Sequence, residues 1–237
     1  MTGCSHVSPG CDRCYAETMS KRFAGKKGWG PKDDPFRVTM HPERVEKPGF
    51  PRKPSRIFVC SMGDLFHQRV SDIFRRMVFE VMRQHPEHTF QILTKRPSVM
   101  RSMLTDYKGI KCPNAWLGVT AENQEQADKR IPILLDTPAA LRFVSCEPLL
   151  GPINLRPYLS QLDWVIVGGE TGPGARFMNG HWVDSLGKQC GYGANVPMFL
   201  KQWGTGGKTN RPTITEGMQQ FPWVRAANET KEEDSER

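Results

Sequence analysis

The chain has 237 residues, of which 38% are hydrophobic, 9% aromatic and 24% charged, with a formal net charge of +8. That length suits one large domain or two small ones, and the apolar content is too high for a disordered chain. Unpatterned glycine and the lack of sustained heptads exclude collagen-like and coiled-coil classes, and no run approaches the roughly 18 apolar residues of a membrane helix.

In chain order, the first feature is a cysteine loop over 3–15, with Cys4, Cys11 and Cys14 spaced C-x6-C-x2-C. No apolar core of a secretory signal precedes it, so the expected location is the cytoplasm. In that reducing compartment, cysteine spacing reads as metal binding or redox chemistry ahead of disulfides. A short helical pattern follows over 15–23. Residues 25–55 are rich in Gly, Pro, Lys and Arg and read as a long basic surface loop.

Strand-like runs then recur at 56–60, 89–94, 115–120, 141–145, 163–167 and 196–200. They are continuously apolar rather than alternating, as strands buried on both faces are. Ser71 is placed to cap a helix whose apolar positions are Ile73, Phe74, Met77, Val78, Val81 and Met82. Further helical patterns cover 125–135 and 181–190. Strands alternating with helices predict βαβ units and a mainly parallel sheet curled into an α/β barrel, open or closed. Residues 205–237 lose this rhythm, so the expected organisation is one α/β domain over 1–204 and an irregular extension with a frayed, charged tail. The last nine residues hold five acids against two bases, which leaves +11 on the rest of the chain. A basic body predicts a polyanionic partner, nucleic acid first, and no membrane.

Polar residues follow almost every strand: Ser61 and Asp64, Thr94 and Lys95, Thr120 and Glu122, Glu147, Glu170, then Lys201 and Gln202. Each alone also suits a cap or a solvated loop. Together they point to one site at the carboxyl ends of the strands. Three thiolates on one short loop can face a single centre. They suit a [4Fe–4S] cubane with its fourth iron open, since electron-carrying ferredoxins use four cysteines. Two alternatives stand beside it. His6 can complete a Cys3His zinc set, or Cys11 and Cys14 can form a redox pair that leaves Cys4 without a role. Cys60, Cys112, Cys146 and Cys190 read as small core residues; Cys60 and Cys146, at strand ends, are placed to line the site.

The stretch TGCSHVSPGCDRCYAE over 2–17 resembles the signature of a phage and bacterial three-Cys-motif family, itself similar to radical S-adenosylmethionine enzymes and, among them, to the spore photoproduct lyase branch. Further matching motifs are SMGDLFH (61–67), LTKRP (93–97), WLGVT (116–120), SCEPLLG (145–151), VGGETG (167–172) and KQWG (201–204). The resemblance implies a partial (βα)6 barrel, a [4Fe–4S] cluster on Cys4, Cys11 and Cys14, and S-adenosylmethionine on the open iron. The reduced cluster of such enzymes cleaves the sulfonium to methionine and a 5′-deoxyadenosyl radical, which abstracts a substrate hydrogen. It also implies an external electron donor. By position, Tyr15, Ser61 and Asp64 would lie near the cluster and the methionine end, Thr120 and Glu122 near the ribose, and Glu147 or Glu170 near cofactor or substrate. Lys95 and Glu170 are the candidate catalytic residues. The Gly168-Gly169-Glu170 triplet resembles a cofactor signature of these enzymes, but follows a late strand rather than an early one.

Two departures stand out. The usual spacing is C-x3-C-x2-C with an aromatic before the last cysteine, whereas Arg13 stands there and Tyr15 follows. Family members also carry a strand before the loop, so the first strand is expected to be missing or shortened, or the start codon to lie upstream, with weak anchoring of the cluster loop. The expected function is radical modification or isomerisation of a nucleic-acid base, for example a thymine 5-substituent in phage DNA. Trp29 and Trp203 are candidate stacking aromatics. The alternatives are a non-enzymatic iron–sulfur or zinc protein that binds nucleic acid, and a radical enzyme acting on a peptide or small metabolite.

Overall fold

The structure, a computed structural model, describes residues 1–106, 112–191, 193–206 and 216–222. Six strands, β1 (Arg56–Val59), β2 (Thr89–Thr94), β3 (Ala115–Thr120), β4 (Leu141–Cys146), β5 (Trp164–Gly168) and β6 (Met198–Gln202), form one sheet in sequential order. Every neighbouring pair is parallel. Helices α3 (Asp72–Gln84), α4 (Pro97–Asp106), α5 (Gln124–Leu135) and α6 (Gly180–Gly191) fill four of the five crossovers. The β4–β5 crossover carries only the 3-10 turn Leu159–Gln161. Two short helices, α1 (Tyr15–Arg22) and α2 (Pro42–Glu46), precede β1. Among the described residues β1 and β6 do not pair, so the sheet is an open, partial α/β barrel. No described helix is long and apolar enough to cross a membrane.

Alternation along the strands divides the core in two. Ile92, Leu117, Val119, Val144, Val165 and Leu200 meet the helices in the larger cluster. Trp116, Leu141, Phe143 and Trp164 form a second cluster inside the curve, with Leu93, Ile166 and Phe199 against it. Burial on both faces is why these strands read as continuous apolar runs. Gly118 makes room within the inner cluster, where a Cβ would sit 2.4 Å from the ring of fully buried Phe143.

Ser71 caps α3 by accepting from the Phe74 N–H at 3.3 Å, as its position predicts. The buried face of α3 differs from the expected one. Ile73 is 73% exposed, whereas Phe74, Phe79 and Met82 are buried, because the stripe facing the sheet passes to one side of Ile73. Within the extension, Gln219 bridges Phe199 of β6, and Phe221 lies 5.4 Å from Trp164 of β5 and 3.7 Å beneath the guanidinium of Arg56 of β1. This segment therefore spans the gap between the sheet's two edges, and the charged tail lies outside the described residues.

Candidate functional site

A cavity of about 660 Å³ opens at the carboxyl ends of the strands. Ten of the eleven residues expected at the site line it: Cys4, Cys11, Cys14, Tyr15, Ser61, Asp64, Lys95, Thr120, Glu147 and Glu170. The eleventh, Glu122, is fully buried outside the cavity, behind the cysteine loop. Cys60 also lines the cavity, and burial pushes its thiol up to about 11, which keeps it a neutral S–H. Trp29 and Trp203 do not line it; Trp29 packs on Phe23 at 5.0 Å and Trp203 against the helix-side core. The aromatics at the cavity are Tyr15, Phe36 and Phe58, with Tyr15 54% and Phe58 44% exposed.

The cysteine loop takes its shape locally. Gly3 has φ +84°, and a Cβ there would meet the Arg37 carbonyl at 2.1 Å. Its N–H donates to the Met62 carbonyl, and the Cys4 N–H to the Phe36 carbonyl, so the loop leaves from beside β1 and the basic segment. A 3-10 turn, Pro9–Cys11, follows, and Cys14 is the N-cap of α1. His6 pairs with Asp12 at 2.6 Å.

Three acid–arginine pairs, each from a different part of the sheet, grip this loop. Asp64 holds Arg96 at 3.0 Å, and Arg96 donates to the Ser5 carbonyl at 2.9 Å and to Cys4 Sγ at 3.3 Å. Glu122 holds Arg130 at 2.9 Å, and Arg130 donates to Ser8 Oγ at 2.8 Å, while Glu122 also accepts the Gly10 N–H at 3.1 Å. Glu170 holds Arg176 at 2.5 Å, and Arg176 donates to the Pro9 carbonyl at 2.8 Å and to Asp12 at 3.2 Å. The loop is thus tied at three strand ends, where weak anchoring was the expectation. The arginines lie 91, 122 and 167 residues along the chain from their loop contacts, so local pattern could not reveal them. The legible signal was chemical: a buried carboxylate needs a cation.

These contacts change what the acids do. Burial alone would raise the Glu122 carboxyl, but Arg130 and the Ser8 hydroxyl hold it below the usual carboxylate range. Glu170 behaves the same way, with Arg176 overcoming burial. Asp64 accepts from the Phe66 N–H, Thr94 Oγ1 and the Lys95 N–H as well as from Arg96. All three acids are therefore committed to the protein. Tyr15 donates to the Ser61 carbonyl, joining α1 to the loop after β1. Glu147 is less enclosed and pairs with Lys201 at 3.0 Å. Lys95 lines the cavity and makes no ion pair with a described residue.

Several observations bear on what the site can hold. Cys4, Cys11 and Cys14 are free and only part-buried. Among the described residues, one trio of candidate ligands lies within 4.8 Å of one another, and it is His85, Glu87 and His88 rather than the three cysteines. Thiolates of one tetrahedral zinc, at roughly 2.3 Å, would stand about 3.8 Å apart. A cubane places each thiolate on a separate iron and so does not ask for that closeness. The histidine trio is ill-suited to an ion, because His88 Nδ1 accepts the Ser55 N–H at 3.2 Å, leaving the proton on Nε2, which faces Glu87. Ser145, paired in register with Thr120, is 1% exposed, and its hydroxyl has no partner. It lies two residues after Phe143 on the inner face of β4 and does not line the cavity. The residues present fit a cluster with a small molecule beside it.

No curated protein and no solved structure matches the chain. A family profile matches residues 1–234, and the chain belongs to that family, DUF5131, whose members are described as proteins of unknown function.

Proposed function

We propose that this protein is a radical S-adenosylmethionine enzyme that modifies or isomerises a nucleic-acid base. The observation that carries the reading is that three free cysteines on one short loop open onto one polar-rimmed cavity at the carboxyl ends of a parallel sheet. Cys4, Cys11 and Cys14 would hold a [4Fe–4S] cluster. When bound and reduced by an external electron donor, that cluster supplies the electron that cleaves S-adenosylmethionine and starts hydrogen abstraction.

The chain's own residues bind, orient and exclude water. The positive charge of Lys95, a cavity-lining residue, suits a carboxylate. Thr120 lines the cavity and suits an uncharged polar atom, and Glu147 with Lys201 offers both charges at the rim. Tyr15, Phe36 and Phe58 give flat apolar surfaces on which a planar base stacks and from which water is displaced. A base drawn from a duplex must be flipped out to reach this depth. The segment 21–56 holds eleven Lys and Arg against four acids, a net of +7, and reaches the cavity through Phe36. That field attracts a phosphate backbone. A cytoplasmic setting suits the reduced thiols.

The test is anaerobic reconstitution with iron and sulfide, reduction, and addition of S-adenosylmethionine, with and without DNA. The expected result is a brown protein that releases 5′-deoxyadenosine, faster with DNA, and a Cys11→Ala variant that loses colour and turnover together. A colourless protein carrying stoichiometric zinc would overturn the reading.

A further inference from the structure

Of the three arginines that hold the cysteine loop, one touches a sulfur. Arg96 places Nη1 3.3 Å from Cys4 Sγ and 3.0 Å from Asp64 Oδ2, while Nη2 donates to the Ser5 carbonyl at 2.9 Å and to Ser5 Oγ at 3.1 Å. Its own N–H donates to Thr94 Oγ1 at 2.8 Å, and its side chain is 11% exposed. Arg130 and Arg176 contact the loop through Ser8, the Pro9 carbonyl and Asp12, with no sulfur among their partners.

We propose that Arg96 is a positioning and tuning residue: a fixed N–H···S donor to Cys4 that raises the reduction potential of the cluster. This rests on the proposed cluster on Cys4, Cys11 and Cys14. A guanidinium is permanently protonated, so the donor does not switch off with pH. Hydrogen bonds and positive charge near cluster sulfur favour the form carrying the extra electron. The step is a one-electron reduction of the cluster by an external donor, and no bond to Arg96 forms or breaks. Asp64 shares the same nitrogen and offsets part of the charge, so the pair sets the potential between two limits. The arrangement stands ready without any ligand, because four fixed acceptors besides the sulfur hold the arginine or its backbone.

The experiment is a mediated redox titration of the reconstituted protein, followed by electron paramagnetic resonance, on wild type, Arg96→Lys, Arg96→Gln, Asp64→Asn and Arg130→Gln. The midpoint should move to more negative values in Arg96→Gln and to more positive values in Asp64→Asn, with Arg96→Lys nearer wild type. Arg130→Gln should load less cluster, and what it loads should keep the wild-type midpoint. If Arg96→Gln does not load, the opposite-signed shift in Asp64→Asn and the shift in Arg96→Lys still decide the matter. Loaded variants with wild-type midpoints would overturn the role of Arg96 and leave the proposed function standing. A wild-type protein that binds no cluster would overturn both.

Discussion

Arg130 donates to the Ser8 hydroxyl at 2.8 Å, bringing α5 onto the cysteine loop across 122 residues of chain. Its other terminal nitrogen bonds both the Thr120 carbonyl and the Glu122 carboxylate, so one buried guanidinium ties a strand end, an acid and the loop together.

Glu122→Gln and Arg130→Gln are each expected to destabilise the protein by about 3–5 kcal/mol, because either leaves its partner's charge buried and unpaired. The double variant should cost less than the sum of the two. Urea midpoints of all three proteins check this, with retention of reconstituted iron as a second readout.

Gly118→Ala should destabilise by roughly 1–3 kcal/mol, since overpacking a closed core forces rings off their rotamers. The added methyl would meet Phe143 at 2.4 Å, inside a cluster closed by Trp116 and Trp164. Gly118→Ala combined with Phe143→Leu should recover part of the loss relative to the two single changes. Thermal unfolding of the set measures it.

His41 and His67 both titrate below the ordinary histidine value, each chiefly through burial, with Arg44 adding to the effect at His41 and Arg96 at His67. His41 pairs with Thr2 Oγ1 at 3.0 Å and His67 with Ser5 Oγ at 2.8 Å, so both support the chain around Cys4. A lowered folded-state value means that the unfolded chain takes up protons first. The stability these groups contribute is present above the ordinary histidine range and is lost as pH falls through it toward their lowered values. Unfolding midpoints should therefore drop between pH 7 and 5, and His41→Asn with His67→Asn should flatten that slope.

On the proposed function, binding to duplex DNA should weaken steeply with salt. Changing Lys26, Lys27, Lys32 and Arg37 together to Gln should shallow the log–log slope by about 0.9 for each phosphate contact removed. Fluorescence anisotropy across a salt series measures this. Binding that is absent or indifferent to salt would point to a small-molecule or peptide substrate instead.

The six strands were legible because their runs are apolar on both faces, and the observed bounds differ by at most two residues at either end. Helix α4 was not read, although Pro97 begins it, because its pattern overlaps the polar motif after β2. The site was legible as a set of residue types at strand ends, and less so as individual roles. Glu122 and Glu170 looked available because acids beside a cavity suit cofactors, yet each is held by an arginine six to eight residues further along the chain. Phe36 and Phe58 went unread as site aromatics for a different reason. Phe58 sits inside what reads as a buried strand, yet it is 44% exposed and lines the cavity.

The order in which these anchors leave the ribosome has a consequence for maturation. The cysteines emerge first, but the last residue that fixes their loop, Arg176, follows β5. The amino-terminal sulfurs can adopt their final spacing only once five strands have assembled. On the proposed function, a cluster would therefore load after folding, unlike a zinc finger's ion, which drives the chain to fold.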